Sequence, residues 1–177
     1  ETFAYGLRNP WRIATDPRTG HVWVGNNGQD LWAQIFFVRS GDNYGWSLVE
    51  GRQPVHAERQ RGPTAIVRPT VEIPHTDGAS VTGGFVYRGS SIKALQGHYV
   101  FGEWTRKSGK QMGRLLHADL EKWQTREVLL PSGEPVGRYV TGFAEDEQGE
   151  LYLLSSGSVG PKGDTGKVFK IVPAATE

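Results

Sequence analysis

The chain has 177 residues and a mass of 19.6 kDa, which is enough for one domain and too little for two of ordinary size. Twenty Lys and Arg against 19 Asp and Glu leave a net charge of +1, so there is no strong field to attract nucleic acid or an anionic membrane. The absence of cysteine excludes disulfides, thiolate zinc sites and cysteine nucleophiles. No apolar run approaches the ~18 residues of a spanning helix, so we expect neither nucleic acid nor a membrane as partner.

Glycine and proline interrupt the sequence throughout. The 24 glycines and 10 prolines separate short runs in which β-branched and aromatic residues cluster or alternate with polar ones, a pattern typical of β-strands. Strands are predicted, in chain order, at residues 11–15, 21–25, 34–38, 44–49, 70–73, 84–87, 98–103, 114–119, 126–130, 140–145, 151–155 and 167–172. A helical turn is expected only at 91–95, and a long exposed loop at 51–68.

An internal repeat indicates how these strands are grouped. The segment from Ile13 through Asp16 and Gly20 to Val24 is paralleled by Phe143 through Asp146 and Gly149 to Leu153, 130 residues later. A third unit, 97–101, lies between them, and dividing the 130 residues among three units gives about 43 residues each, the length of a four-stranded propeller blade. A β-sandwich also has short strands, but it does not predict a copy at this interval.

We therefore predict an all-β protein with about three four-stranded antiparallel β-propeller blades, part or half of a six-bladed ring. The blades are placed at 11–75, 81–131 and 139–173 of a single partial domain spanning 1–177, and residues 1–7 are expected to add a strand to a neighbouring blade. Three blades leave sheet faces uncovered. Two alternatives remain open: the missing blades belong to the rest of a longer chain, or a second copy supplies them.

Several motifs together resemble the glucose and sorbosone dehydrogenase family, whose enzymes use pyrroloquinoline quinone (PQQ). They are YGLRNP at 5–10, GQD at 28–30, GDNYGW at 41–46, VTGGFVYRG at 81–89 and GHYVFGE at 97–103. The same combination is found in the non-enzymatic propeller of hedgehog-interacting proteins. The resemblance covers nearly the whole chain and does not by itself separate an enzyme from a binding protein.

The resemblance implies a set of cofactor and metal contacts. Arg8 and Asn9 match the Arg and Asn that contact the quinone in the enzymes. The main-chain oxygens that bind calcium in the family align with Gly28 and Gln29. Calcium prefers hard oxygen ligands and would polarise the quinone, so calcium and PQQ are the expected cofactors.

Three positions depart from the family pattern. Trp11 stands where the enzymes usually have Gln, and Thr105 falls near the expected cofactor-binding Lys. Of a late pair of arginines, aligned around 138–141, only Arg138 is basic here. We take Trp11, Thr105 and Arg138 as candidate cofactor contacts, with stacking or packing replacing a polar contact at Trp11.

No catalytic residue is assigned within this sequence. In the family the general base is a histidine in blades upstream of the Arg-Asn-Pro motif, which would precede residue 1. His75 is the best local candidate, and its ordinary role would be a loop histidine bonded to nearby backbone. Asp77 with Glu103 is a weaker candidate, as a carboxylate pair for glycoside hydrolysis.

Two functions follow from these observations. The first is part of a PQQ- and calcium-dependent dehydrogenase acting on an aldose or aldehyde, in the periplasm or outside the cell. The second is a non-enzymatic propeller that binds a protein or a glycan, which the departures at Trp11, Thr105 and Thr141 favour. A histidine in the matching upstream loop would indicate the enzyme, and its loss would indicate the binding protein.

Overall fold

The computed structural model describes residues 1–76, 78, 80–106, 113–122, 124–160 and 162–174. Within these ranges the regular structure consists of strands and one short 3-10 turn, Lys93–Leu95. The strands are β1 (Pro10–Thr15), β2 (Val22–Asn27), β3 (Trp32–Val38), β4 (Val49–Glu50), β5 (Gln53–Pro54), β6 (Val71–Pro74), β7 (Val81–Val86), β8 (Tyr99–Glu103), β9 (Arg114–Ala118), β10 (Thr125–Val128), β11 (Tyr139–Glu145), β12 (Leu151–Ser156) and β13 (Lys167–Lys170). No helix in these ranges is long and apolar enough to cross a membrane.

The strands form three main sheets, each built from one continuous stretch of the chain. The sheet orders are β1-β2-β3-β6, β7-β8-β9-β10 and β11-β12-β13, with all pairs antiparallel. Strands β4 and β5 make a small separate hairpin. The prediction of an all-β fold with four-stranded antiparallel propeller blades is confirmed.

The sheets pack face to face, with the second between the other two. Side chains alternate across β8, so Tyr99 and Phe101 join the apolar cluster shared with the first sheet, whereas Val100 joins the cluster shared with the third. Trp23 stacks on Tyr99 with ring centroids 5.2 Å apart, and Phe143 is buried in the other cluster. Burying each such side chain contributes about 1.5–3 kcal/mol.

The first strand of each sheet lies on the inside of the stack, where backbones approach closely. A Cβ added to Gly25 would lie 2.8 Å from the Cα of Gly83, and one on Gly83 would lie 2.9 Å from the Cβ of Arg12. Gly83 also has φ +66°, a conformation that favours glycine. Glycine therefore allows β7 to pack tightly against the first sheet.

Polar contacts join the three sheets at the ends of the inner strands. Arg88, after β7, donates to Asp16 in the first sheet at 2.9 and 2.5 Å. Glu150, in the third sheet, accepts from the Tyr87 hydroxyl at 2.7 Å and from the Ser91 hydroxyl at 2.8 Å. The segment after β7 thus holds both neighbouring sheets.

One part of the chain differs from the sequence-based prediction. Residues 44–48 do not form a strand, because Gly45 has φ +87° and the segment turns; only Val49 of the predicted strand belongs to one, β4.

Within residues 1–7, Tyr5 pairs with the turn around Asn43: Tyr5 N donates to Asp42 O at 3.1 Å, and Tyr44 N donates to Tyr5 O at 2.9 Å. The expectation that this segment adds a strand to a neighbouring blade stays a prediction.

Candidate functional site

A cavity of about 660 Å³ opens at one end of the inner strands. Trp11, Thr82 and Thr141 reach it from near the beginnings of β1, β7 and β11. Trp104, which follows β8, adds a second indole. The remaining side chains come mostly from the end of β12 and the loop before β13: Ser155, Ser156, Ser158, Lys162 and Thr165.

The two tryptophans provide flat apolar surfaces on the cavity wall. Trp11 is 63% exposed and belongs to no buried cluster of the described chain. Trp104 stacks on the buried Tyr139 with centroids 5.1 Å apart and an interplanar angle of 26°. Its main chain is fixed on both sides, since Trp104 N donates to Ser80 O at 2.9 Å and Val140 N donates to Trp104 O at 3.2 Å. Such surfaces suit a planar ring or the face of a sugar.

Hydroxyl groups form another part of the wall. The Thr165 hydroxyl lies 3.2 Å from that of Ser156 and 3.0 Å from that of Ser158. Behind them, Arg138 Nε donates to Ser155 Oγ at 2.9 Å, and its Nη2 donates to the carbonyl of Thr165. Arg138 therefore positions this loop, and the hydroxyls supply donors and acceptors to the cavity.

Lys162 brings positive charge to the cavity. It lies in the glycine-rich loop 157–166, and it is the one Lys or Arg among the described residues that line the cavity. Its main chain is held by Lys162 N donating to Gly160 O at 2.9 Å and by the Ser158 hydroxyl donating to Lys162 O at 3.1 Å. An exposed lysine on a main chain held in this way is suited to pair with an anionic group of a ligand.

Arg8 and Asn9 lie beside the cavity rather than in its wall. Arg8 Nη1 donates to Gly28 O at 2.9 Å, with Asn27 O at 3.5 Å, and its guanidinium lies 5.4 Å from the centroid of the Trp46 ring. Asn9 is exposed. Its N donates to the Asn26 side chain at 2.9 Å, and its O accepts from Asn27 N at 3.0 Å. The motif thus braces the end of β2.

The loop that begins at Gly28 does not fit a calcium ion. The Gly28 oxygen accepts from Arg8, so a divalent cation on that oxygen would stand beside a like charge. The side-chain amide of Gln29 donates to Asp30 Oδ2 at 3.1 Å. Glu50 sits inside the loop and accepts its backbone N–H groups. Among the described residues, no group of three or more His, Asp or Glu could hold a metal.

Sequence comparisons identify the family of the chain. The family model for glucose / sorbosone dehydrogenase matches residues 1–163. The chain belongs to the glucose/sorbosone dehydrogenase family. It is 31% identical to human Hedgehog-interacting protein over 186 residues, 97% of this chain and 23% of that protein. It is 29% identical to the HIPL1 protein of Arabidopsis thaliana over 187 residues, 90% of this chain and 27% of that protein.

Solved structures share the fold. A crystal structure of glucose dehydrogenase has a TM-score of 0.70 at 24% identity, covering 99% of this chain and 47% of that one. The PQQ-bound form of an aldose sugar dehydrogenase from Streptomyces coelicolor has a TM-score of 0.65 at 20% identity, covering 96% and 44%. This chain spans about a quarter of the length of the curated relatives above and just under half of these solved chains.

The structure brings some of the sequence-predicted site residues to the cavity and leaves others outside it. Trp11 lines it, as the sequence suggested, and Arg138 acts from behind through Ser155. Thr105 is buried and does not line it, whereas its neighbour Trp104 does. Lys162 and the hydroxyls were not predicted as site residues, because the sequence of the loop 157–166 indicates only a series of turns. Their proximity to Trp11 depends on packing between sheets.

Of the remaining candidates, those within the described residues, Glu103 and His75, do not line the cavity. Glu103 is fully buried, and burial raises its pKa to about 7 although Arg114 pairs with it and acts in the opposite direction. Asp77, its suggested partner, lies outside the described residues. His75 donates its main-chain N–H to Leu31 O at 2.9 Å and does not line the cavity.

Proposed function

We propose that this chain forms one wall of the cofactor and substrate site of a PQQ-dependent sugar or aldehyde dehydrogenase. The observation that carries the proposal is the cavity of about 660 Å³, which is lined by Trp11, Trp104, a set of hydroxyls and Lys162. A tricyclic quinone bearing carboxylates needs ring faces, donors and positive charge. The glucose/sorbosone dehydrogenase family includes a structure with PQQ bound.

Each part of the wall has a defined task in this proposal. Trp104, held by Tyr139, packs against the ring and excludes water from one face. Thr165 and its neighbouring hydroxyls donate to ring oxygens or to substrate hydroxyls. Lys162 pairs with a carboxylate and fixes the direction of the ring. When bound, the quinone accepts a hydride from the substrate carbon.

The proton acceptor for the substrate hydroxyl has to come from elsewhere. None of the described residues that line the cavity is a His, Asp or Glu, and general-base catalysis requires such a group within hydrogen-bond reach. We propose that further blades, from the rest of a longer chain or from a second copy, supply it and close the site. The site of action proposed for such a protein is the periplasm or the extracellular space.

A second candidate is a non-enzymatic propeller that uses the same cavity to bind a glycan or a protein. Two features favour it. Arg8 and Arg138, expected to contact the quinone, are both bonded to main-chain carbonyls. Hedgehog-interacting protein, whose name states that it binds Hedgehog, is about as similar to this chain as any relative described above.

Calorimetric titration of the chain with PQQ tests the first proposal. Wild type should bind, and Lys162→Met should weaken binding about tenfold or more, the scale of one charge-assisted hydrogen bond. Lys167→Met is the matched control, because Lys167 is exposed on β13 outside the cavity. Absence of binding by wild type, or equal affinity for both variants, would contradict the proposal. Binding of oligosaccharides without binding of PQQ would favour the second candidate.

A further inference from the structure

The loop after β2 is organised around two charged side chains of the protein. On one side, Glu50 is 2% exposed and accepts from Leu31 N at 2.7 Å and Trp32 N at 2.8 Å. The carboxylate also accepts from Asp30 N at 3.2 Å and so holds the N–H groups of the loop.

On the other side, the carbonyl groups of the loop face Arg8. Its Nη1 lies 2.9 Å from Gly28 O and 3.5 Å from Asn27 O. The guanidinium also lies 5.4 Å from the Trp46 ring centroid, within the range of a cation–π contact. Arg8 is half-buried, so these contacts are only partly screened by water.

Gly28 is fixed between these two groups. A Cβ there would lie 2.2 Å from Glu50 Oε1 and 2.3 Å from Trp32 O, so the backbone packs directly on the carboxylate. Its carbonyl is thereby directed to the side where the guanidinium lies. The loop thus has an internal anion for its N–H groups and an internal cation for its carbonyls.

We propose that Arg8 takes the place of a divalent cation at this loop, so that the loop keeps its shape and its positive charge without metal. Of the two main-chain oxygens expected to ligate the ion, that of Gly28 is bonded to the guanidinium, and a second cation there would be repelled. Arginine also cannot be removed by a chelator or by a change of pH in the physiological range. The proposal concerns the loop itself and stands whether or not the cavity binds a quinone.

Thermal unfolding of the 177-residue chain tests this inference. The midpoint of wild type should agree within about 1 °C between millimolar calcium and excess EDTA, because a ligand that does not bind the folded state does not shift the transition. Arg8→Met should lower the midpoint by about 5 °C in both buffers, since the carbonyls lose a charge-assisted donor. Arg39→Met is the matched control, as Arg39 packs on an aromatic ring, Phe37, at 4.8 Å and should change the midpoint by less than about 2 °C.

Terbium luminescence gives an independent measurement that does not depend on folding stability. A lanthanide on this loop would be excited by Trp32 and Trp46, which flank it. Wild type should show no saturable signal that calcium displaces. Such a signal, or calcium stabilisation of wild type by several degrees, would overturn the proposal. So would an Arg8→Met variant as stable as Arg39→Met, because the guanidinium would then not hold the loop.

Discussion

The ion pair between Arg88 and Asp16 should contribute measurably to the joining of the first and second sheets. Asp16 is 3% exposed and Arg88, with 18% of its side chain exposed, donates to both carboxylate oxygens, at 2.9 and 2.5 Å. The arginine is the main reason that the Asp16 pKa falls from the usual 3.8 to about 2. At about 1.4 kcal/mol per unit this shift corresponds to about 2–3 kcal/mol. Screening at the exposed edge of Arg88 reduces the expected contribution to about 1–2 kcal/mol.

Urea denaturation of Arg88→Met at neutral pH should therefore show a loss of about 1.5–3 kcal/mol, the upper part of the range arising because a buried carboxylate loses its partner. Asp16 keeps a second donor, the Thr19 hydroxyl at 2.6 Å, so the loss should not exceed this range. Because the folded pKa of Asp16 is depressed, its contribution is complete above about pH 4 and is lost as pH falls toward 2. The difference between wild type and Arg88→Met should shrink over the same interval.

The matched control is Lys170→Met, which removes the more exposed pair of Lys170 with Asp146 at 3.3 Å. That variant should unfold at nearly the same urea concentration as wild type. If Arg88→Met were no less stable than this control, or if its deficit were independent of pH between 4 and 2, the pair would not join the sheets as argued. An unchanged m-value would show that the comparison involves the same folded and unfolded states.

Two other predictions concern the second sheet. His98 and His117 approach with their Nδ1 atoms 2.7 Å apart, and burial, together with the nearby His98 charge, lowers the His117 pKa. Because the folded state then binds fewer protons than the unfolded state, the free energy of unfolding should fall as pH drops through about 6.5. In urea titrations His117→Gln should flatten this pH dependence, whereas an unchanged slope would place the titration at another group. Gly83→Ala should lower the free energy of unfolding by about 2 kcal/mol or more, because φ is +66° and the added Cβ would contact β1. The control Gly133→Ala, at φ +77° but with open space around it, should lower it by only about 1 kcal/mol. Equal losses for the two variants would mean that the contact with β1 is relieved without cost.

The strands could be predicted from the sequence because their signals are local. Alternating polarity and glycine turns appear within a few residues, and the repeat linking Asp16 with Asp146 indicated successive blades. The period of about 43 residues was wrong, because the three sheets begin at Pro10, Val81 and Tyr139 and the repeat therefore spans two intervals. Both aspartates do begin hairpin turns between paired strands, β1 with β2 and β11 with β12. Local patterns failed at 44–48, where the apolar and aromatic residues that suggest a strand surround Gly45, whose φ of +87° turns the chain.

The candidate site, in contrast, was decided by contacts between distant segments. Trp11 and Lys162 are separated by most of the chain and reach one cavity only because the first and third sheets flank the second. The sequence identified Arg8 by its motif and predicted a contact with a cofactor. Only the tertiary structure showed the guanidinium bonded to Gly28, because the direction of a long side chain depends on which carbonyls the folded loop presents to it.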